Sequence, residues 1–155
     1  MHKHLRTLIS TGFIEKMVPV DNPNGKNVRY GIVDPFLRFH FKRIVPIVNT
    51  SVIRQAADRI IDLLETNMGR VFENVCAQHL RRGHPGQIGR WWGSDPVSRR
   101  QEEIDLISTS MDDGRRIGWF AECKYRNEPV GTDVLDRLIH RMSLVKGYDE
   151  THPVI

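Results

Sequence analysis

Four charged residues lie where metal-dependent phosphodiester cleavage would want them. Asp105 sits inside Glu103-Ile-Asp-Leu-Ile107, an acid between apolar neighbours in a strand pattern. Glu122 and Lys124 share the run Phe120-Ala-Glu-Cys-Lys-Tyr125. Side chains of a strand alternate faces, so Glu122 and Lys124 point to one side and Cys123 to the other. A hairpin joining the two strands would bring Asp105 beside Glu122. Two such carboxylates repel one another, and keeping both ionised in a partly buried site is costly. A hard divalent cation with oxygen ligands, Mg²⁺ or Mn²⁺, removes that cost. It also acidifies its water and stabilises charge on a scissile phosphate. The Lys124 ammonium can orient the attacking water and offset transition-state charge. Glu73, in Gly69-Arg-Val-Phe-Glu-Asn74, is a third carboxylate on a helix able to pack over the sheet edge. A shifted register would offer Glu103 in place of Asp105. An ordinary salt-bridged sheet face uses the same residue types. What singles this set out is the order: helix Glu, strand, strand Asp, hairpin, strand E-x-K, helix.

The elements that must position these residues fall into two parts, 1–44 and 45–155. In the first, Leu5, Leu8 and Ile9 have helical spacing and Gly12 is placed as a C-cap. Phe13 to Val20 and Val28 to Val33 read as strands around the turn Asp21-Asn-Pro-Asn-Gly25. Asp34 caps a following helix whose first turn holds Pro35. Helix, hairpin and closing helix make the back half of a winged helix. On that reading Lys3, Arg6, Lys26 and Arg29 touch DNA phosphates, unless the hairpin only packs against a neighbour. In the second part, helices are expected over Val52 to Leu64 and Gly69 to Leu80. Strands follow over Ile88 to Trp92, Glu103 to Ser108 and Ile117 to Tyr125, with Met111-Asp-Asp-Gly-Arg115 as a hairpin turn. A helix over Thr132 to Val145, N-capped by Thr132, leads to a last strand beginning near Pro153. That order implies an α/β or α+β domain.

The carboxylate–lysine arrangement resembles the PD-(D/E)xK, or restriction-endonuclease-like, phosphodiesterases. The resemblance implies a mixed sheet flanked by helices, with Asp105 and Glu122 as metal ligands. It gives Lys124 the role of catalytic lysine and Glu73 that of helix carboxylate. A second resemblance spans nearly the whole chain. Tyr30-Gly-Ile-Val-Asp-Pro-Phe-Leu-Arg-Phe39, Gly69-Arg-Val-Phe-Glu73, Glu103-Ile-Asp105 and Ala121-Glu-Cys-Lys124 are similar to the C-terminal region of prokaryotic AAA-type ATPases. There a P-loop ATPase domain precedes a winged helix and a nuclease-like domain. The chain has no G-x-x-x-x-G-K-[ST], so no nucleotide site is expected within it. The final strand is expected to be cut short. The resemblance implies DNA and the ATPase domain as partners. Retained fold without turnover, as a DNA-binding or assembly module, is the competing reading. An open strand edge also invites pairing with a second copy.

Bulk properties fit this picture without selecting it. The 155 residues carry a net charge of +4, compatible with phosphate binding. Arg81-Arg82 and Arg99-Arg100 are further candidates for phosphate contact, and Trp91-Trp92 for base stacking, unless one ring is core. The sequence contains neither a long apolar run nor a secretory leader, so a cytoplasmic protein without a membrane span is expected. Two cysteines without a secretory context imply reduced thiols. Cys76-Ala-Gln-His79 has the spacing of half a zinc site, against the plainer reading of a buried thiol and an exposed histidine. Arg137 and His140 are placed to support the acidic site from the helix that follows it, or else to lie on that helix's exposed face.

Overall fold

The structure is a computed structural model and describes residues 3–48 and 53–155. The chain order is α1 (Lys3–Ser10), β1 (Ile14–Met17), β2 (Arg29–Ile32), α2 (Pro35–Phe39), a π-helical turn (His40–Ile44) and α3 (Val45–Val48), then α4 (Ile53–Gly83), β3 (Gln87–Ser94), β4 (Gln101–Asp112), β5 (Arg115–Ala121), α5 (Thr132–Leu144) and β6 (Glu150–Val154). Two compact units divide it. The first holds Met1–Met17 and Asn27–Val71, the second Val18–Lys26 and Phe72–Ile155.

In the first unit, β1 and β2 pair antiparallel with Ile14 opposite Ile32 and Met17 opposite Arg29. The strands are shorter than expected, because the turn-rich segment between them forms no ladder. The Asp34 carboxylate accepts the Leu37 N–H at 2.8 Å, the expected N-cap, with Pro35 in the first turn. The helix then widens into the π turn just ahead of Pro46. A proline has no N–H to give and its ring crowds the carbonyl four residues back, so a wider turn relieves that position. The expected break before Gly69 does not occur: α4 runs 31 residues without interruption. No proline lies in that stretch, and a glycine costs a helix only about 1 kcal/mol. Val52, the expected start of this helix, lies outside the described residues.

The second unit is built on a four-stranded mixed sheet in the order β3-β4-β5-β6. The first three strands are antiparallel neighbours, and β6 returns through α5 to lie parallel to β5. The β4–β5 turn is Asp113-Gly114, with φ of 45° and 78°. Positive φ at both positions is what a two-residue hairpin with the sheet's own twist requires. One sheet face carries Ile104, Ile107 and Phe120 against Leu138, Met142 and Val145 of α5 and the residue after it. The other carries Leu106 and Ala121 against Leu80, with Cys76 and Ala77 of α4 alongside.

Ile104 and Ile107 share a face although they are three residues apart, which strict alternation forbids. The register explains it: Gly89 faces Ile107 but Trp91 faces Ile104, so Asp105 and Leu106 together oppose Arg90. This is a β-bulge on β4, which re-aims a side chain. Trp91 and Trp92 are both buried, so neither ring presents a face for base stacking. Trp91 Nε1 donates to Asp21 Oδ2 at 2.8 Å, and Val20 N–H donates to the Arg90 carbonyl. The hairpin tip is thus partly packed on the sheet rather than held out in solvent. Thr132 opens α5 instead of capping it; the N-cap position falls on Gly131 and has no side-chain cap bond.

Gly114 meets nothing within 4 Å of where a Cβ would stand, so only its backbone conformation resists replacement. Gly114→Ala is expected to lower stability by about 1 kcal/mol. Urea denaturation should show a lower midpoint at an unchanged slope.

Candidate metal and phosphodiester site

The bulge places Asp105 at the point where β4 and β5 part. Their ladder ends at Leu106 opposite Ala121. Beyond it Asp105 Oδ2 accepts the Cys123 N–H at 2.9 Å, so a side chain takes over from the backbone pairing. On the other side of the same segment Glu122 N–H donates to the Val154 carbonyl. Glu122 to Tyr125 therefore continue β5 in direction but lie just past its end, which corrects the expectation that they sit within the strand. The alternation survives. Lys124 Nζ donates to Glu122 Oε1 at 2.6 Å, while Cys123 turns to the opposite face with Cys76.

Glu122 is 8% exposed and has a second partner, Arg141 Nη1, 3.0 Å from Oε2. Arg141 Nε also donates to Glu102 Oε2 at 2.8 Å. Burial works against the Arg141 charge, but the two carboxylates outweigh it and hold the guanidinium firmly protonated. Glu73 lies on α4 with Oε2 2.6 Å from Arg90 Nη1. That contact is an ion pair outside hydrogen-bond angles, and the buried Oε2 has no hydrogen-bond partner among the described residues.

These groups meet at Asp105. Burial raises its carboxyl to about 6, and repulsion from Glu122 and Glu73 adds to the rise. The Cys123 N–H and the Lys124 ammonium pull the other way without cancelling it. The four residues singled out in the sequence are therefore electrostatic neighbours. Counting the ion-paired residues with Asp105, four carboxylates (Glu73, Glu102, Asp105, Glu122) face three cations (Arg90, Lys124, Arg141). The cluster carries one negative charge in excess.

Among the described residues, no three His, Cys, Asp or Glu side chains stand close enough together to enclose a metal ion. The donor set nonetheless fits a hard divalent cation. It is all carboxylate oxygen, and its excess charge is what such an ion neutralises. Asp105, Glu122 and Glu73 would have to draw closer together to hold it.

Arg90 and Arg141 were missed by sequence reasoning. Arg141 carried a legible signal: it falls seven residues after Val134 and three after Leu138, on the buried stripe of α5. The residues expected there instead go elsewhere. Arg137 pairs with Asp133 on the helix surface, and His140 contacts Asp95 Oδ2 at 3.2 Å. Glu103 is exposed opposite Trp92. Lys3, Arg6, Lys26, Arg29, Arg81, Arg82, Arg99 and Arg100 are all exposed, and no ion pair ties any of them to the acidic cluster among the described residues. His79 is exposed, as in the plainer reading of that pair, while Cys76 is half-buried rather than buried. Both cysteines are free, and burial together with a hydrogen bond to Cys76 pushes the Cys123 thiol up, away from reactivity. No helix among the described residues is long and apolar enough to cross a membrane.

The raised Asp105 value has a stability consequence. Protonated Asp105 is favoured in the folded chain, so its contribution is fullest below the ordinary value of 3.8 and is lost as pH rises through about 6. Asp105→Asn keeps an oxygen for the Cys123 N–H and cannot ionise. Its melting temperature should exceed that of the wild type above pH 7, with the difference shrinking towards pH 4 in thermal scans. Arg141→Met leaves Glu102 without its cation and Glu122 with Lys124 alone, and is expected to destabilise by about 3 kcal/mol. Adding Glu122→Gln should recover part of that loss in chemical denaturation.

Comparison with known proteins gave one family and one relative. Residues 39–136 match a family described as archaeal and bacterial proteins of unknown function, DUF234. That stretch contains Glu73, Asp105, Glu122 and Lys124. An uncharacterised protein of Methanocaldococcus jannaschii is 31% identical over 163 aligned positions, covering 95% of this chain and 34% of the relative. The chain thus spans about a third of that relative's length. No solved structure matches. The chain belongs to the DUF234 family.

Proposed function

We propose that the second unit is a metal-dependent DNA phosphodiesterase of the restriction-endonuclease-like type. The observation that carries this reading is the meeting of Asp105, Glu122, Glu73 and Lys124 where β4 and β5 part, with Asp105 raised to about 6 among like charges. The order α4, β3, β4, β5, α5, β6, with the last strand parallel to its neighbour, supports the same fold type. A bound Mg²⁺ or Mn²⁺ would supply Lewis-acid stabilisation of the phosphate and a more acidic water. The protein's own groups do the rest. Arg141 and Lys124 hold the Glu122 carboxylate from both sides and fix its orientation. Lys124, a third exposed, can donate to the incoming water or to a phosphate oxygen while staying charged. Asp105 must give up its proton to bind a cation, so cation binding should weaken below about pH 6.

We also propose that this unit serves a longer protein as the C-terminal part of an AAA-type ATPase. Support comes from the resemblance of the motifs and from the 34% share of the M. jannaschii relative that the match occupies. A specific observation favours a second reading, a nuclease-fold module without turnover: Glu122 and Glu73 already have cationic partners in Lys124, Arg141 and Arg90.

Nicking of supercoiled plasmid in Mg²⁺ or Mn²⁺ separates the two. On the catalytic reading the wild type nicks, and Glu122→Ala and Lys124→Ala, with native circular dichroism, lose at least about a hundredfold in rate. Mg²⁺ should also raise the wild-type melting temperature at pH 8, and much less so that of Asp105→Asn. DNA binding without nicking or a Mg²⁺ shift would favour the module.

A further inference from the structure

The first unit contains a cavity unrelated to the acidic cluster. Its volume is about 550 Å³, within the range of small-ligand sites. Four cations line it: Arg29 from β2, Arg38 from α2, Lys42 from the π turn and Arg70 from α4. None of the lining residues is acidic. Tyr30 and Phe41 also line it and are 45% and 59% exposed, unusually high for aromatic side chains. Arg38 is fixed at the wall: its Nε and Nη2 donate to the Ile32 carbonyl at 2.9 and 2.6 Å, and Nη2 reaches the Val33 carbonyl.

Each part of this lining has a matching chemistry. Cations converging on one concave surface raise the local concentration of anions. Guanidinium groups match phosphate oxygens in geometry as well as charge. Exposed rings beside them offer the flat apolar surface on which a base stacks. An inorganic anion would use the cations and leave the rings idle. A duplex would present its phosphates but keep its bases stacked inside. The ligand that uses both is a nucleotide whose base is accessible.

We propose that this cavity seats one nucleotide unit of a single-stranded nucleic acid, the phosphate on Arg38, Arg70, Arg29 and Lys42 and the base against Phe41 or Tyr30. The site differs from the wing-to-duplex contact expected from sequence. It does not depend on the catalytic reading, since binding is measured with metal chelated and plasmid nicking plays no part.

The test uses the whole chain in EDTA and follows fluorescence anisotropy of a labelled oligothymidylate over a range of salt. Lys42→Ala/Arg70→Ala alters two exposed side chains and should keep the native melting temperature. It is expected to weaken binding at least about tenfold and to lower the salt slope by roughly 0.7, the contribution of the one phosphate no longer neutralised. Phe41→Ala should weaken oligothymidylate binding about tenfold and leave inorganic tripolyphosphate binding unchanged. The proposal is overturned if the folded double variant binds as the wild type does, if a duplex of the same length binds as tightly, or if no strand binds at low salt.

Discussion

The hydrogen bond from the Cys123 N–H to Asp105 Oδ2 holds the Glu122–Tyr125 segment in place after the β4–β5 ladder has ended. On its other edge the segment is tied to β6 through the Glu122 N–H. Glu122 and Lys124 are therefore fixed between two strands without being part of a regular pair. The bulge makes this possible. With one extra residue opposite Arg90, β4 can keep Ile104 and Ile107 in the core and still aim Asp105 at the gap. A regular strand would have to give up one or the other.

That arrangement leaves a carboxylate where water is scarce and other carboxylates are near. Three basic side chains from three elements answer most of the charge: Arg90 from β3, Lys124 from the segment after β5 and Arg141 from α5. Such buried pairs add little net stability, because desolvation consumes most of the attraction. Their effect is geometric. Glu122 is held at both oxygens, so its orientation is set before any ligand arrives. The residual negative charge falls on Asp105, whose carboxyl is raised first by burial and further by Glu122 and Glu73.

The two units carry different chemistry. Acidic oxygen donors gather in the second, while the cavity of the first is lined by cations and exposed rings. The match to the DUF234 family, over residues 39–136, takes in the four residues of the acidic site but not Arg141.

What the sequence determined by itself is whatever depends on near neighbours along the chain. The Asp113-Gly114 turn, the Asp34 cap and the opposed faces of Glu122 and Cys123 follow from local backbone preference and strand alternation. The order of helices and strands in the second unit follows from the same periodicities, and with it the pairing of the Asp105 strand to the strand that leads to Glu122. Only the tertiary structure decided the rest. The bulge at Asp105 depends on how β3 registers against β4, and no residue type announces it. Arg90 and Arg141 acquire their roles from partners 17 to 39 residues away in sequence. The basic cavity joins side chains from β2, α2, the π turn and α4 that no spacing rule connects. Local conformational energy is written residue by residue, whereas charge compensation and cavity shape arise only once distant segments share a low-dielectric space.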